Sequence, residues 1–155
     1  MSILIKSVTD RVRLPSYGAF ALEDQGRDLS DPGPLGVDPD PDAWFQAVDD
    51  GACVNTEHGW QEVGVQLELW DGPPRTTEEW DKSQEARIYF TSGQVAAVEV
   101  EYHNIEHNVL DLGRAGAHWN VRALMRQLRP VQPEDSTRMR VDLEAYLFQF
   151  WPADD

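Results

Sequence analysis

Most of the chain alternates apolar and polar residues with a period of two. In residues 60–70, WQEVGVQLELW, Val63, Val65, Leu67 and Leu69 fall on one face and Glu62, Gln66 and Glu68 on the other. That is the pattern of a strand with one face on a core and one in solvent. Residues 86–91, a Ser92-Gly93 turn and residues 94–102 predict a hairpin, with Val98, Val100 and Tyr102 inward and Glu99 and Glu101 outward. Residues 141–151 are dense in aromatics and end at Pro152, which predicts a central strand covered on both faces. Residues 118–128 fit two periods. Trp119, Val121, Ala123 and Met125 alternate as in a strand, whereas Val121, Leu124, Met125 and Leu128 recur as in a helix. We prefer the strand, because β-branched Val121 and aromatic Trp119 sit in a chain whose other strong signals are strands.

Helix signals are sparse. Thr76, Thr77, Glu78 and Glu79 match a capping box and predict a short helix through Trp80 to Ser83; residues 42–48 predict a second turn or two. Four prolines and two glycines in residues 28–42 deny regular structure there, and breaks recur at 71–74 and 129–136. Six to eight short strands joined by such loops predict a mainly β fold, an antiparallel β-sandwich or small barrel with one or two short helices, as a single domain over residues 1–155.

At 155 residues and 41% hydrophobic, the chain can bury an ordinary core without metals or disulfides. No apolar run nears the roughly 20 residues that span a bilayer, and the first residues lack a signal-peptide pattern. Cys53 is the single cysteine, which rules out an internal disulfide and suits a reducing compartment; a cytoplasmic location is expected. The formal net charge is −15, unevenly spread. Residues 14–74 carry thirteen acids against Arg27 alone, while residues 112–141 carry six arginines against Glu134 and Asp135. A field of that sign repels phosphate backbones and membranes and attracts basic proteins.

Three motifs invite chemistry. His103, Asn104, Ile105, Glu106 and His107 spell the H-x-x-E-H of a zinc peptidase, which needs a helix to bring both histidines to one ion. Here it follows a strand pattern, and residues four apart on a strand lie roughly 13 Å apart. No metal or other cofactor is expected. Asp38, Asp40 and Asp42 imitate the first positions of a calcium loop, but Ala43 stands where the sharp turn needs glycine. Arg114, Arg122, Arg126, Arg129, Arg138 and Arg140 form the one basic cluster; within so acidic a chain, internal pairing or an anion groove suits them better than nucleic acid.

The second half has a recognisable order: Trp70 leading into Asp71, Gly72, Pro73 and Pro74; Glu78, Glu79 and Trp80; a glycine turn from Gly113 to an Arg122-bearing strand; and a final strand closing on Trp151 and Pro152. Over residues 44–153 this resembles a group of small acidic β-rich actinobacterial proteins, itself similar in layout to the competence-nuclease inhibitors. The resemblance implies a small acidic protein that binds and blocks a basic nuclease. It rests on order and punctuation, and no functional residue carries over.

Two functions follow as expectations. The first is a non-enzymatic binding protein that docks a basic partner, as an inhibitor or immunity factor for a nuclease or toxin. Its contact is expected at Asp38, Asp40, Asp42, Asp49 and Asp50, five carboxylates with no lysine or arginine between Arg27 and Arg75. The alternative is a small-ligand-binding or metal-assisted enzyme domain with a pocket lined by Trp, Arg and His.

Overall fold

The computed structural model describes residues 1–15, 17–38, 40, 42–75, 79–100, 106–131 and 139–154. Among the described residues, ten strands form two facing five-stranded sheets. The first sheet contains β1 (Leu4–Arg13), β5 (Gln61–Trp70), β6 (Lys82–Phe90), β9 (Ala117–Gln127) and β10 (Arg140–Pro152), in the order β1-β5-β10-β9-β6. The second contains β2 (Ala19–Asp24), β3 (Phe45–Val48), β4 (Gly51–Asn55), β7 (Gln94–Glu99) and β8 (Leu110–Asp111), in the order β3-β4-β2-β7-β8. All pairings are antiparallel except β5 with β10. The helical content of the described residues is one 3-10 turn, Gly33–Gly36. The fold is therefore a β-sandwich.

The alternation read from the sequence sets the core. Val63, Val65, Leu67 and Leu69 of β5 are buried, as are Tyr146, Phe148 and Phe150 of β10. Between the sheets, the Phe20 ring meets Phe148 at 6.1 Å and Tyr146 at 5.2 Å, and Phe45 meets Phe148 at 5.9 Å. Edge-on and tilted contacts of this kind add to the apolar area removed from water. Strand β10 is central, between β5 and β9, and residues 118–127 lie in strand β9, as preferred for that segment, with Leu128 just past its end.

Several expectations are corrected. The described part of the expected hairpin, residues 86–100, is not one: the chain turns at Ser92 and Gly93, but β6 pairs with β9 in one sheet and β7 with β2 and β8 in the other. The phase of β7 is also reversed. Phe20 stands opposite Glu99 and Leu22 opposite Ala97, and directly opposed residues share a face, so Ala97 and Glu99 point inward. Val98 and Val100 are only half-buried; Glu101 and Tyr102 lie outside the described residues. Neither proposed helix stands where it can be followed: Phe45–Val48 is strand, β6 opens at Lys82, and Thr76 to Glu78 lie outside the described residues. Strand pairing supplies the backbone partners that a lone turn of helix leaves unmet.

Strand directions define two ends. At one end lie residues 14, 15, 17, 18, 40, 42–44, 55–60 and 140–142, which we call the loop end. At the other lie residues 24–26, 49–51 and 91–93, the turn end.

Candidate partner-binding face

The structure divides the five aspartates expected to meet a partner. Strand β3 separates them: Asp38, Asp40 and Asp42 precede it at the loop end, and Asp49 and Asp50 follow it at the turn end. Four strand residues span about 13 Å. Asp38, Asp40, Asp42 and Asp49 are exposed. The first three stand on a shaped loop, where Gln46 bonds the Asp38 carbonyl at 3.1 Å and the Asp40 amide at 3.3 Å. The Asp40 carboxylate accepts the Asp42 amide at 2.9 Å. Asp50 is committed elsewhere. Its backbone is left-handed, at φ +66°, and its carboxylate accepts the Thr91 amide at 2.7 Å and the Thr91 hydroxyl at 2.9 Å.

At the loop end, Asp40 and Asp42 line a depression together with Tyr17, Trp44, Asp81 and Lys82. Lys82 is bonded to Glu57 at 2.8 Å, which holds that carboxyl below its usual range. Asp81 is exposed and accepts the Gln127 amide at 2.7 Å. The depression thus has acids on its rim, an aromatic wall, and a lysine already engaged.

A neighbouring loop, residues 56–60, is fixed from inside the sandwich. Glu144 is fully buried and accepts hydrogen bonds from the Glu57 amide at 3.0 Å, the Tyr146 hydroxyl at 2.9 Å and the Gln61 side chain. Burial beside that carboxylate pushes the Tyr146 phenol up, so it stays a donor. Thr56 and Gln61 side chains both donate to the His58 carbonyl, at 2.8 and 2.6 Å, and Arg140 donates to the Gly59 carbonyl. Two further bonds run to the 14–18 loop: Trp60 N to Pro15 O at 2.8 Å and Thr56 N to Gly18 O at 3.0 Å. The loops approach so closely that a side chain at Gly18, φ +66°, would meet Thr56 Oγ1 at 2.5 Å.

The second histidine of the H-x-x-E-H motif has a definite place. His107 Nδ1 lies 3.0 Å from Asp10 Oδ2, and its Nε2 bonds Glu99, which also accepts the Arg13 amide at 3.1 Å. The two ring nitrogens face opposite ways, toward β1 and β7, so His107 bridges the sheets rather than turning both carboxylates to one point. His103 lies outside the described residues.

The arginines are spread out as well. Arg122 and Arg126 face outward from β9, over the Trp151 and Trp80 rings at 5.2 and 4.7 Å, and Arg122 also pairs with Glu85 at 3.0 Å. Arg140 and Arg129 lie near the loop end and Arg114 near the turn end; Arg138 is outside the described residues. Trp and Arg do meet, as the alternative reading requires, and His118 shares their face of β9, but that face is the outside of one sheet, and His58 and His107 lie elsewhere. Cys53 is half-buried on the outer face of β4, and burial pushes its thiol up.

Glu144, Gln61, Tyr17 and Trp60 were not anticipated as site residues. The first two had a signal: Glu144 shares the inward parity of Tyr146 and Phe148, and Gln61 that of Val63 and Val65. Tyr17 and Trp60 had none, because a lone aromatic in a loop reads as core.

Among the described residues, no helix is long and apolar enough to cross a membrane. No protein-family model matches the chain, and no curated protein does. Solved structures do. The chain is similar to ComJ from Bacillus subtilis, described as an inhibitor of the DNA-degrading activity of NucA, at 11% identity and a TM-score of 0.59 over 99% of each chain. It is similar also to the product described as crocagin biosynthetic gene J, at 14% identity and a TM-score of 0.56 over 97% of this chain and 100% of the other. At such identities the shared property is the fold: this β-sandwich, over its whole length, is one that a nuclease inhibitor also has.

Proposed function

We propose that this protein is a non-enzymatic binding protein that docks a basic protein and inhibits it, the partner being of the DNA-degrading nuclease class. The observation that carries the reading is the group Asp38, Asp40 and Asp42, exposed on a shaped loop with no lysine or arginine of the described residues paired to them. Whole-length likeness to a nuclease inhibitor supports it, as does the −15 net charge. Acids of this kind steer a basic partner through solvent and raise its association rate. Asp49 and Asp50 are left out of the contact, being at the far end.

The test uses the protein's own cell. Basic proteins held on a cation exchanger are eluted, and their degradation of plasmid DNA is measured while the purified protein is titrated in. Degradation should fall to a stoichiometric end point, with an inhibition that weakens as salt rises. Degradation unchanged at any ratio would refute the reading.

A further inference from the structure

Trp60 combines three properties that rarely occur together. Its backbone is left-handed, at φ +47°, a conformation normally left to glycine or asparagine. It is nonetheless a large aromatic residue, 40% exposed. And it sits in a loop where a backbone group of every residue from Thr56 to Trp60 is hydrogen-bonded, with buried Glu144 holding Glu57 from within. A glycine at this position would remove the strain and lose only the packing of a partly covered ring, so folding gains little from the tryptophan. Strain kept in place by such a surround marks a functional position.

Tyr17, 61% exposed, stands on the adjoining loop, which Pro15 O and Gly18 O tie to the Trp60 loop. It also lines the depression that bears Asp40 and Asp42. Two exposed aromatics on interlocked loops, one of them lining a depression with Asp40 and Asp42, have the composition of an interface centre. Rigid anchors lose little freedom on binding.

Resting on the function proposed above, we infer that Tyr17 and Trp60 are the aromatic anchors of the partner contact, and that the occupant is the same basic protein, laid across the loop end. Charge complementarity selects it: the exposed rim acids are Asp40, Asp42 and Asp81, and the one lysine there is already bonded to Glu57. Its lysines or arginines meet the acids, and its central side chains pack on the two rings.

The test repeats the titration of plasmid-degrading activity with four variants. Trp60→Gly and Tyr17→Ala should each raise the half-inhibitory concentration at least about 30-fold, as truncation of an interface anchor does. Trp60→Gly should melt within a few degrees of the parent, because relief of the strained φ offsets the lost packing. Leu29→Ala, a change at a still more exposed apolar residue in the loop after β2, should inhibit like the parent. The double change Asp40→Asn with Asp42→Asn should weaken inhibition in a salt-dependent way. If the two aromatic variants inhibit normally while the aspartate variant is weakened, the anchor assignment is wrong and the function stands. If the parent itself does not inhibit, both fail. Should Trp60→Gly not fold, Tyr17→Ala decides, with its melting temperature measured alongside to show that it is folded.

Discussion

Each end of the sandwich is organised by a fully buried carboxylate, and the two do different work. At the turn end, Asp24 accepts the amides of Gly26, Ser92 and Gly93 at 2.7, 2.9 and 3.0 Å, and the Ser92 hydroxyl at 2.5 Å. It welds two tight turns together and presents no large side chain. At the loop end, Glu144 takes one loop amide and two side-chain donors, and the loop it holds carries Trp60 outward. Unpaired buried charge is costly, so each carboxylate forces its surroundings to supply donors. At one end that demand closes the structure. At the other it makes a presented loop rigid without covering it.

The strongest test of this contrast is Asp24→Asn. Asparagine retains one acceptor oxygen but sets an NH2 group against donor amides, so stability should fall by about 3 kcal/mol in urea denaturation. Inhibition by the folded fraction should be unchanged, since the turn end meets no partner. A loss of under about 0.5 kcal/mol, the size of an ordinary surface change, would show that Asp24 does not organise that end.

Glu144→Gln should cost less, about 2 kcal/mol, because two of its three donors are side chains that can turn away, whereas three of the four on Asp24 are fixed backbone amides. Its signature is local. Amide hydrogen exchange at residues 56–60 should accelerate beyond the global change, and inhibition should weaken as the Trp60 loop loosens. Exchange that rises equally at both ends would dissolve the distinction between them.

The smallest effects concern the exposed acids. Changing Asp40 and Asp42 to Asn should leave stability within about 0.5 kcal/mol and slow association with the partner at low salt, the difference vanishing as the Debye length shrinks to about 3 Å at 1 M salt. Asp49→Asn should not alter the rate through any local contact. Equal slowing by both would mean that net charge, rather than the loop end, steers the partner.

The sequence by itself determined that this is a β protein and which residues of β5 and β10 face the core. Period-two alternation is a local property, and Val63 to Leu69 and Tyr146 to Phe150 obey it. It also determined the acid excess before Arg75, which needs no structure to count. Tertiary structure alone decided three further matters. Alternation says which residues share a face but not which sheet a strand joins, so the turn at Ser92 and Gly93 read as a hairpin although it carries the chain between sheets. The phase of β7 was misread because Glu99 looked like a solvent residue, and its burial is made tolerable by the Arg13 amide and by His107, which arrives from a later loop. Five aspartates close in sequence were parted because a single strand runs between them, and Tyr17 and Trp60, far apart in sequence, were joined through the carbonyls of Pro15 and Gly18. Those contacts form only when the sandwich closes, and nothing within a window of neighbouring residues encodes them.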